Sequence, residues 1–167
     1  MINNFGIYWF RQDLRLNDNL ALNSIVEKSD YIIPIYIVDD SFDLGSASKW
    51  WLHNSLRSLD ASLRERNSQL FFFKGDPKKI LKKLIDCYKV KSIYWNRLYD
   101  KLSIKRDTEI KSIFNSKDIE IVSFKGSLIN EPWTTKNKSG SFFKVFTPYW
   151  NKCLEDIKPI KLLKAPD

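Results

Sequence analysis

The residues best suited to binding chemistry lie in the stretch Trp9–Asn19, directly after the first apolar run of the chain. Arg11 and Arg15 carry flat guanidinium groups, which stack on aromatic rings or pair with anions, and Asp13 between them is a hydrogen-bond acceptor. The stretch contains no glycine, so it lacks the glycine-rich loop with which a nucleotide-binding domain cradles phosphate. It therefore indicates a binding turn for a planar or polar ligand.

An alternation of strand-like and helix-like segments must position that turn. The predicted strands are Phe5–Phe10, Ile32–Val38, Leu70–Phe73, Ser92–Trp95 and Ile119–Phe124, and the predicted helices are Asn19–Lys28, Ala47–Glu65, Pro77–Tyr88 and Ile104–Asn115. Alternation of this kind favours parallel strands joined by right-handed crossovers, with helices on both faces of the sheet. We predict an α/β fold: a Rossmann-like, doubly wound, five-stranded parallel sheet in the order 3-2-1-4-5.

Local residue choices predict where some of these elements begin. Asp76 followed by Pro77 is a typical helix start, with an N-cap acid and a proline in the first turn. Ser46 or Ser48 could cap the long second helix. Pro34 lacks a backbone N–H, so pairing of the second strand is expected to begin after it or to contain a bulge there.

Composition limits the class of protein. A chain of 167 residues that is 43% hydrophobic is long enough for one domain with a real core. Cys87 and Cys153 have no metal-ligand or disulfide spacing, which favours a reducing compartment, and we predict a cytoplasmic protein. The most apolar stretch, Tyr31–Val38, is too short to span a bilayer, and no secretion leader is recognisable, so no membrane association is predicted.

The net charge of +8 raises the question of nucleic-acid binding. Six lysines concentrate at the spacing of one outer helix face: Lys78, Lys79, Lys82, Lys83, Lys89 and Lys91. A solvated face explains such a cluster, so we predict only weak, nonspecific DNA binding.

The turn sequence Trp-Phe-Arg-x-Asp-Leu-Arg-Leu-x-Asp-Asn resembles the opening signature of the DNA photolyase/cryptochrome family. Further segments resemble the family in the same order: Trp51-Leu52-His53-x-Ser55-Leu56, Gly75-Asp76-Pro77, Trp95-Asn96-Arg97-x-Tyr99-Asp100 with Arg106-Asp107, Gly126-Ser127-Leu128, Glu131-Pro132-Trp133, and Lys144 through Trp150. Six such segments in order over nearly the whole chain make the resemblance specific.

The resemblance implies that residues 1–133 form the light-harvesting antenna domain of a deoxyribodipyrimidine photolyase, and that residues 134–167 connect it to a helical FAD-binding domain outside this sequence. It implies methenyltetrahydrofolate, 8-hydroxy-deazaflavin or FMN as the antenna chromophore. The complete protein would repair UV-damaged DNA by electron transfer from reduced FAD, which this chain alone would not do. A cryptochrome blue-light photoreceptor and a separate nucleotide- or pigment-binding module are the alternatives.

In a doubly wound sheet, ligands bind outside the carboxyl ends of the strands, next to the point where the strand order reverses. Several residues are expected at this edge without a predicted binding role: Asp13, Val38, Asp40 and Tyr99. The predicted chromophore-binding residues there are Phe10, Arg11, Asp39, Asn96, Arg97 and Asp100. Arg11 would stack on or pair with the ring, and Asp100 would accept its N–H groups. An ion-pair network that fixes the turn is the alternative for Arg11, Asp13 and Arg15; it is an equal alternative for Asp13 and Arg15, whereas for Arg11 ligand contact is preferred.

The six tryptophans and the single histidine are interpreted as structural residues. Trp9 and Trp95 end predicted strands and are expected to be core residues. Trp50, Trp51, Trp133 and Trp150 are expected to cover an interface with the helical domain. The aromatic cluster Phe142–Trp150, together with Trp50 and Trp51, would then be an exposed apolar patch in this chain and would favour self-association. His53 has no companion metal ligands, so no metal site is predicted.

Overall fold

The structure is a computed structural model that describes residues 4–39, 44–115, 119–157 and 161–166. It divides into two compact units, Met1–Gly126 with Leu163–Asp167, and Ser127–Leu162. The first unit contains strands β1 (Phe5–Phe10), β2 (Tyr31–Val38), β3 (Phe71–Lys74), β4 (Ser92–Asn96) and β5 (Glu120–Phe124), and helices α1 (Leu20–Lys28), α2 (Ser46–Arg64), α3 (Pro77–Tyr88) and α4 (Lys101–Asn115). The second unit contains α5 (Phe146–Asp156). The prediction that an antenna domain ends at residue 133 stays a prediction.

All neighbouring strands of the sheet are parallel, in the order β3-β2-β1-β4-β5, which confirms the predicted fold. β1 pairs with β2 on one side and with β4 on the other. The chain therefore winds outward from β1 in both directions, and the switch point lies at the carboxyl end of β1.

Alternate residues of the central strands are buried in two cores, one on each face of the sheet. Ile7, Trp9 and Trp95 pack with the apolar stripes of α3 and α4, while Tyr8 and Phe10 pack with those of α1 and α2. Trp9 and Trp95 are 2% and 0% exposed, which confirms their predicted core role. Because helices cover both faces, the carboxyl edge of the sheet is where the chain can leave a cleft.

The structure corrects two of the predicted local boundaries. Gly45, not Ser46 or Ser48, occupies the N-cap of α2, and no side chain caps this helix. Pro34 lies within an uninterrupted β1–β2 register, opposite Tyr8. It is tolerated because the pairing of β2 with β3 begins only at the next residue, Ile35.

Capping residues explain where two other helices begin. Asp76 accepts the Lys78 N–H at 2.9 Å ahead of Pro77, as predicted. Helix α4 begins three residues earlier than predicted because the Asp100 carboxylate accepts the Ser103 N–H at 2.8 Å. Helix α5 was not predicted; its N-cap, Val145, makes no side-chain cap hydrogen bond that could have signalled it.

The surface agrees with the solvated interpretation of the basic charge. Lys79, Lys82 and Lys83 of α3 are exposed, and Lys78 forms a 2.8 Å ion pair with Glu109. None of the described helices is both long and apolar enough to cross a membrane. Among the described residues, no group of three or more histidine, cysteine, aspartate or glutamate side chains is arranged to hold a metal ion.

Candidate functional site

A cleft of about 670 Å³ lies at the carboxyl ends of β1 and β2, and we call it the edge cleft. Its walls come from the loop after β1, the ends of β1 and β2, the first turns of α2, and single residues before and within α4. The residues that line it are Trp9–Arg15, Tyr36–Asp39, Leu44, Ser48, Trp51, Leu52, Ser55, Leu98 and Arg106. Its position next to the switch point and its size are those of small-molecule sites, which span about 300–1,000 Å³.

Aromatic and aliphatic side chains form much of the lining of the edge cleft. Phe10 is fully buried and packs edge-on against Tyr8, with ring centroids 4.5 Å apart. Tyr36 is half-buried, and burial raises the pKa of its phenol. Leu52 and Leu98 add aliphatic surface from α2 and from the loop after β4. This part of the lining suits a flat, largely apolar ring system.

Four alternating charges are linked at one side of the edge cleft, which is lined by three of them, Asp39, Arg106 and Arg11. Arg106 donates to the Asp39 carboxylate at 3.0 Å and to the Asp107 carboxylate at 3.2 Å. Arg11 donates to both carboxylate oxygens of Asp107, at 2.7 and 2.9 Å. Two cations and two anions therefore neutralise one another in sequence, and Asp39 and Arg106 are the pair that lines the cleft together.

The two guanidinium groups are also held by indole rings. The Cζ atoms of Arg11 and Arg106 lie 5.3 and 5.0 Å from the ring centroid of Trp9, and Arg11 lies 5.6 Å from that of Trp95. Burial lowers the pKa of Arg11, and the Asp107 carboxylate opposes that shift. These contacts fix both cations in place, because a guanidinium is attracted to the face of an indole as well as to a carboxylate.

A buried hydrogen-bond network fixes the loop that follows β1. The Tyr8 hydroxyl donates to Asn19 Oδ1 at 2.8 Å, and Asn96 Nδ2 donates to the same oxygen at 2.9 Å. Asn96 Nδ2 also donates to the Asp13 carboxylate. Burial and the nearby Asp13 carboxylate raise the pKa of Tyr8, so its hydroxyl stays a donor. The network ties the loop after β1 to the end of β4 and to the start of α1, where Asn19 is the N-cap.

The structure brings three of the six predicted binding residues together. Phe10, Arg11 and Asp39 line the edge cleft. Of these, Arg11 is 5% exposed and its guanidinium is paired with Asp107, whereas Asp39 has the more accessible position. Asp40 lies outside the described residues.

The remaining three predicted binding residues do not line the edge cleft. Asn96 is buried in the network described above. Arg97 donates to the Ser123 hydroxyl at 3.2 Å on β5, and Asp100 is an exposed N-cap of α4. Partial burial raises the pKa of Asp100, but the hydrogen bonds from Ser103 and from its own backbone, together with the charge of Arg106, lower that pKa by more, so it lies below its usual value. A binding role for any of the six residues stays a prediction.

In the described part of the chain, Asp13 and Arg15 make hydrogen bonds to neutral groups in place of the ion-pair network that was predicted as their alternative role. Asp13 accepts from Asn96 and from the Arg11 N–H, and Arg15 donates to the main-chain oxygens of Asp18 and Gly126, each at 3.0 Å. The turn is therefore held by hydrogen bonds to neutral groups.

Sequence reasoning missed several residues of the edge cleft. Arg106 was noted only as part of a motif, and Tyr36, Trp51, Leu52 and Leu98 were not considered as lining. The alternation within β2 could have indicated Tyr36, since residues two apart share a face of a strand. The contribution of α2 depends on how that helix lies across the sheet edge.

Comparison with known proteins identifies the relatives of this chain. Residues 6–167 match the family described as DNA photolyase. The deoxyribodipyrimidine photo-lyase of Agrobacterium fabrum is 41% identical over 145 residues, which cover 86% of this chain and 30% of that protein. Cryptochrome-2 of Arabidopsis thaliana is 34% identical over 89% of this chain and 25% of its own length.

Solved structures agree with these relatives in sequence and in fold. A class III photolyase from Agrobacterium tumefaciens superposes with a TM-score of 0.93 at 36% identity, over 99% of this chain and 35% of that one. The archaeal photolyase from Sulfolobus tokodaii, solved with two FAD molecules and interpreted as implying a novel light-harvesting cofactor, gives 0.78 at 28% identity, over 96% and 36%. The chain spans about a third of the length of these relatives. The match over residues 6–167 and these relatives show that the chain belongs to the DNA photolyase family, in which it corresponds to the N-terminal α/β domain.

Proposed function

We propose that this chain is the antenna domain of a deoxyribodipyrimidine photolyase, and that it binds its light-harvesting chromophore in the edge cleft. The observation that carries the proposal is the combination of an apolar lining and a neutralised charge pair beside the switch point of the sheet. The Sulfolobus tokodaii relative contains two FAD molecules, which supports a pigment with a planar conjugated ring system for a protein of this fold.

The lining of the edge cleft fits the polarity of such a pigment. Phe10, Tyr36 and Leu98 offer surface that excludes water from a conjugated ring. Asp39 would accept hydrogen bonds from ring N–H groups, and Arg106 would donate to ring carbonyl oxygens. Because these two charges neutralise each other, the cleft binds a polar ring edge without requiring a charged ring. Pterins, flavins and deazaflavins all meet this requirement, so methenyltetrahydrofolate, 8-hydroxy-deazaflavin, FMN and FAD are all candidates.

When bound, the chromophore would absorb blue or near-ultraviolet light and pass the excitation to the FAD of the complete photolyase. The part played by this chain is to hold the ring in one orientation and to keep water away from it. Successive ion pairs join Asp39, Arg106, Asp107 and Arg11, and we call these four residues the charge ladder. They make the polar side of the edge cleft rigid, since each side chain is fixed by the next. UV-damaged DNA would be the substrate of the complete protein.

A cryptochrome is the second candidate. The 34% identity with the Arabidopsis thaliana protein favours it, while the 41% identity with the Agrobacterium fabrum protein favours a photolyase. We also propose a cytoplasmic location, on the basis of two free cysteines, Cys87 and Cys153.

The binding proposal can be tested with two neighbouring tryptophan substitutions on α2. Ser48 lines the edge cleft, whereas Ala47 is equally exposed but does not line it. In titrations of pterin, flavin and deazaflavin ligands followed by absorbance and fluorescence, Ser48→Trp should weaken binding at least tenfold and Ala47→Trp should leave it unchanged. Equal affinity of both variants and the unsubstituted chain would place the chromophore elsewhere, including at Asn96, Arg97 or Asp100.

A further inference from the structure

The chain leaves the first compact unit once and comes back to it once. It departs after Gly126, forms the second unit over Ser127–Leu162, and returns at Leu163. Residues 163–166, which we call the return segment, therefore belong to the first unit although they lie at the far end of the sequence. Both the departure point and the return segment are hydrogen-bonded to one short stretch, Arg15–Asp18, which we call the anchor loop.

Arg15 holds the departure point. Its Nη2 atom donates to the main-chain oxygens of Gly126 and Asp18, each at 3.0 Å, so one guanidinium joins the departure point to the anchor loop. Gly126 also lies tightly against Asn96, since a Cβ atom added there would stand 2.6 Å from the Asn96 Cβ. Glycine allows this close approach because it has no side chain. Asn96 Nδ2 in turn donates to the Asp13 carboxylate, just ahead of the anchor loop. The departure point is therefore fixed on the loop that follows β1.

Asp18 and Asn17 hold the return segment. The Asp18 N–H donates to the Leu163 carbonyl at 2.7 Å, and the Ala165 N–H donates to Asn17 Oδ1 at 3.1 Å. Asp18 has a φ of 49°, in the left-handed region that residues other than glycine seldom adopt. Its carbonyl is bonded to Arg15 and its N–H to Leu163, and these bonds maintain that conformation. Ala165 is half-buried and packs against the core on the α1 and α2 face of the sheet.

The anchor loop is also part of the wall of the edge cleft. Leu14 and Arg15 line the cleft, whereas Asn17, Leu163 and Ala165 do not. Arg15 is therefore the residue at which the cleft and the anchor loop meet.

Hydrogen bonds along the chain link the position of Arg15 to that of its neighbours. The Arg15 N–H donates to the Asp13 carbonyl at 2.8 Å, and Asn19 Nδ2 donates to the Arg15 carbonyl at 2.9 Å. Because the guanidinium is also bonded to Asp18, Arg15 is tied to groups on both sides of it in the sequence. A displacement of Arg15 in the cleft therefore also displaces the groups that hold the return segment.

We propose that the anchor loop couples the edge cleft to the return segment: a ligand that fixes Leu14 and Arg15 strengthens the docking of residues 163–166, and a docked return segment strengthens the binding of that ligand. The inference rests on the proposed function, since it requires a ligand in the edge cleft, and it adds a regulation of that site. The two effects are equal in size, because coupling between two binding events is reciprocal. The chain on either side of the second unit thereby responds to the occupancy of the cleft.

Hydrogen exchange at the Ala165 amide measures the docking directly, because its N–H is bonded to Asn17 and the residue lies outside the edge cleft. The ligand is the tightest-binding member of a set of FMN, an 8-hydroxy-deazaflavin and folic acid. Saturating ligand should slow exchange at Ala165 by about fivefold or more, the lower end of the usual range for coupling between sites. The Leu70 amide, which donates to Asp60 at 2.8 Å, is the reference and should change less. A ligand that merely stabilised the whole fold would slow both amides equally.

Two aspartate substitutions in the return segment test the reverse direction. Ala165→Asp puts an unpaired charge at a half-buried position and should detach the segment, whereas Lys164→Asp places the same group at the exposed neighbouring position. Ala165→Asp should weaken ligand binding by about fivefold or more, and Lys164→Asp should leave the affinity within about twofold. Neither residue lines the edge cleft, so a loss confined to Ala165→Asp reaches the ligand through the anchor loop.

The outcomes separate this coupling from the proposed function. Ligand binding with unchanged exchange at Ala165, or with equal slowing at Ala165 and Leu70, would overturn the coupling and leave the proposed site intact. Equal affinities of both variants and the unsubstituted chain, or a loss shared by both variants, would also overturn it. The exchange measurement on the unsubstituted chain does not depend on how any variant folds. Failure of every ligand in the set to bind would refute the proposed function, and the coupling with it.

Discussion

Replacing Asp107 with asparagine should strongly destabilise the fold, because the carboxylate is the central anion of the charge ladder. Its partner Arg11 has a side chain only 4% exposed, and that of Asp107 is 11% exposed. Asparagine keeps the shape and one acceptor oxygen but removes the charge that neutralises Arg11. Loss of one partner from a buried pair typically costs about 3–5 kcal/mol, because the other charge remains buried without compensation.

The value expected for Asp107→Asn lies toward the lower end of that range. Arg11 would keep its main-chain acceptor, the carbonyl of Asn96, and its contacts with the faces of Trp9 and Trp95. We therefore expect a loss of about 3 kcal/mol in the free energy of unfolding. With a urea slope of about 1–3 kcal/mol per molar, the denaturation midpoint should fall by about 1–3 M.

The matched control removes a carboxylate from the surface. Glu120 pairs with Lys28 at 2.9 Å, but their side chains are 48% and 57% exposed. Glu120→Gln should leave the urea midpoint unchanged within error, since solvent screens such a pair. Equal shifts for Asp107→Asn and Glu120→Gln would refute the view that burial makes the Arg11–Asp107 pair critical.

A double substitution tests the cause of the effect. Arg11→Met together with Asp107→Leu removes both charges and keeps apolar volume between the indoles. It should recover most of the stability lost in Asp107→Asn, because no unpaired buried charge remains. A double variant as unstable as Asp107→Asn would show that lost packing, not the uncompensated charge, is responsible.

Four further predictions concern pH, activity, DNA and assembly. Hydrogen bonds from the Leu70 N–H and from Arg64 lower the pKa of Asp60. The ionised carboxylate therefore stabilises the fold above its unfolded pKa, and this stabilisation is lost as the pH falls through the lower folded pKa. Asp60→Asn should make the urea midpoint less sensitive to acidification below about pH 4, and an unchanged acid profile would contradict this. The 167-residue chain supplemented with FAD should not split thymine dimers under blue light, because the resemblance places the flavin domain outside it, and repair of a dimer-containing oligonucleotide would disprove this. Binding to duplex DNA should be weak, salt-sensitive and indifferent to damage, and a clear preference for damaged duplex at moderate salt would argue against a merely solvated lysine face. Each unit exposes large apolar side chains, including Trp50 and Trp51 in the first and Phe142 and Phe146 in the second, so sedimentation should show self-association, and a strictly monomeric species at high concentration would be inconsistent with it.

The architecture could be predicted from the sequence because it depends on local patterns and on general rules of chain handedness. Alternating apolar runs and amphipathic stretches define strands and helices, and right-handed crossovers limit how they wind. The order β3-β2-β1-β4-β5 and the cap at Asp76 follow from such rules and are confirmed. The core positions of Trp9 and Trp95 were predictable for the same reason, since apolar residues in central strands are buried.

The pairing of charges was decided only by the tertiary structure. Arg11 was predicted to contact a ligand, with an ion pair as the alternative, but its partner could not be predicted: the guanidinium pairs with Asp107, which is 96 residues away in the chain. Asn96 ends β4 and Asp39 follows β2 at the same edge, but Asn96 is buried in the network with Tyr8 and Asn19, whereas Asp39 lines the cleft. A residue's place at a strand end is local information; the group that it meets there depends on the helices packed across both faces. The sequence by itself therefore determined the family, the sheet and the edge where the cleft lies, and the packing of α2 and α4 against that edge determined which side chains form the cleft, because those contacts join segments far apart in the chain.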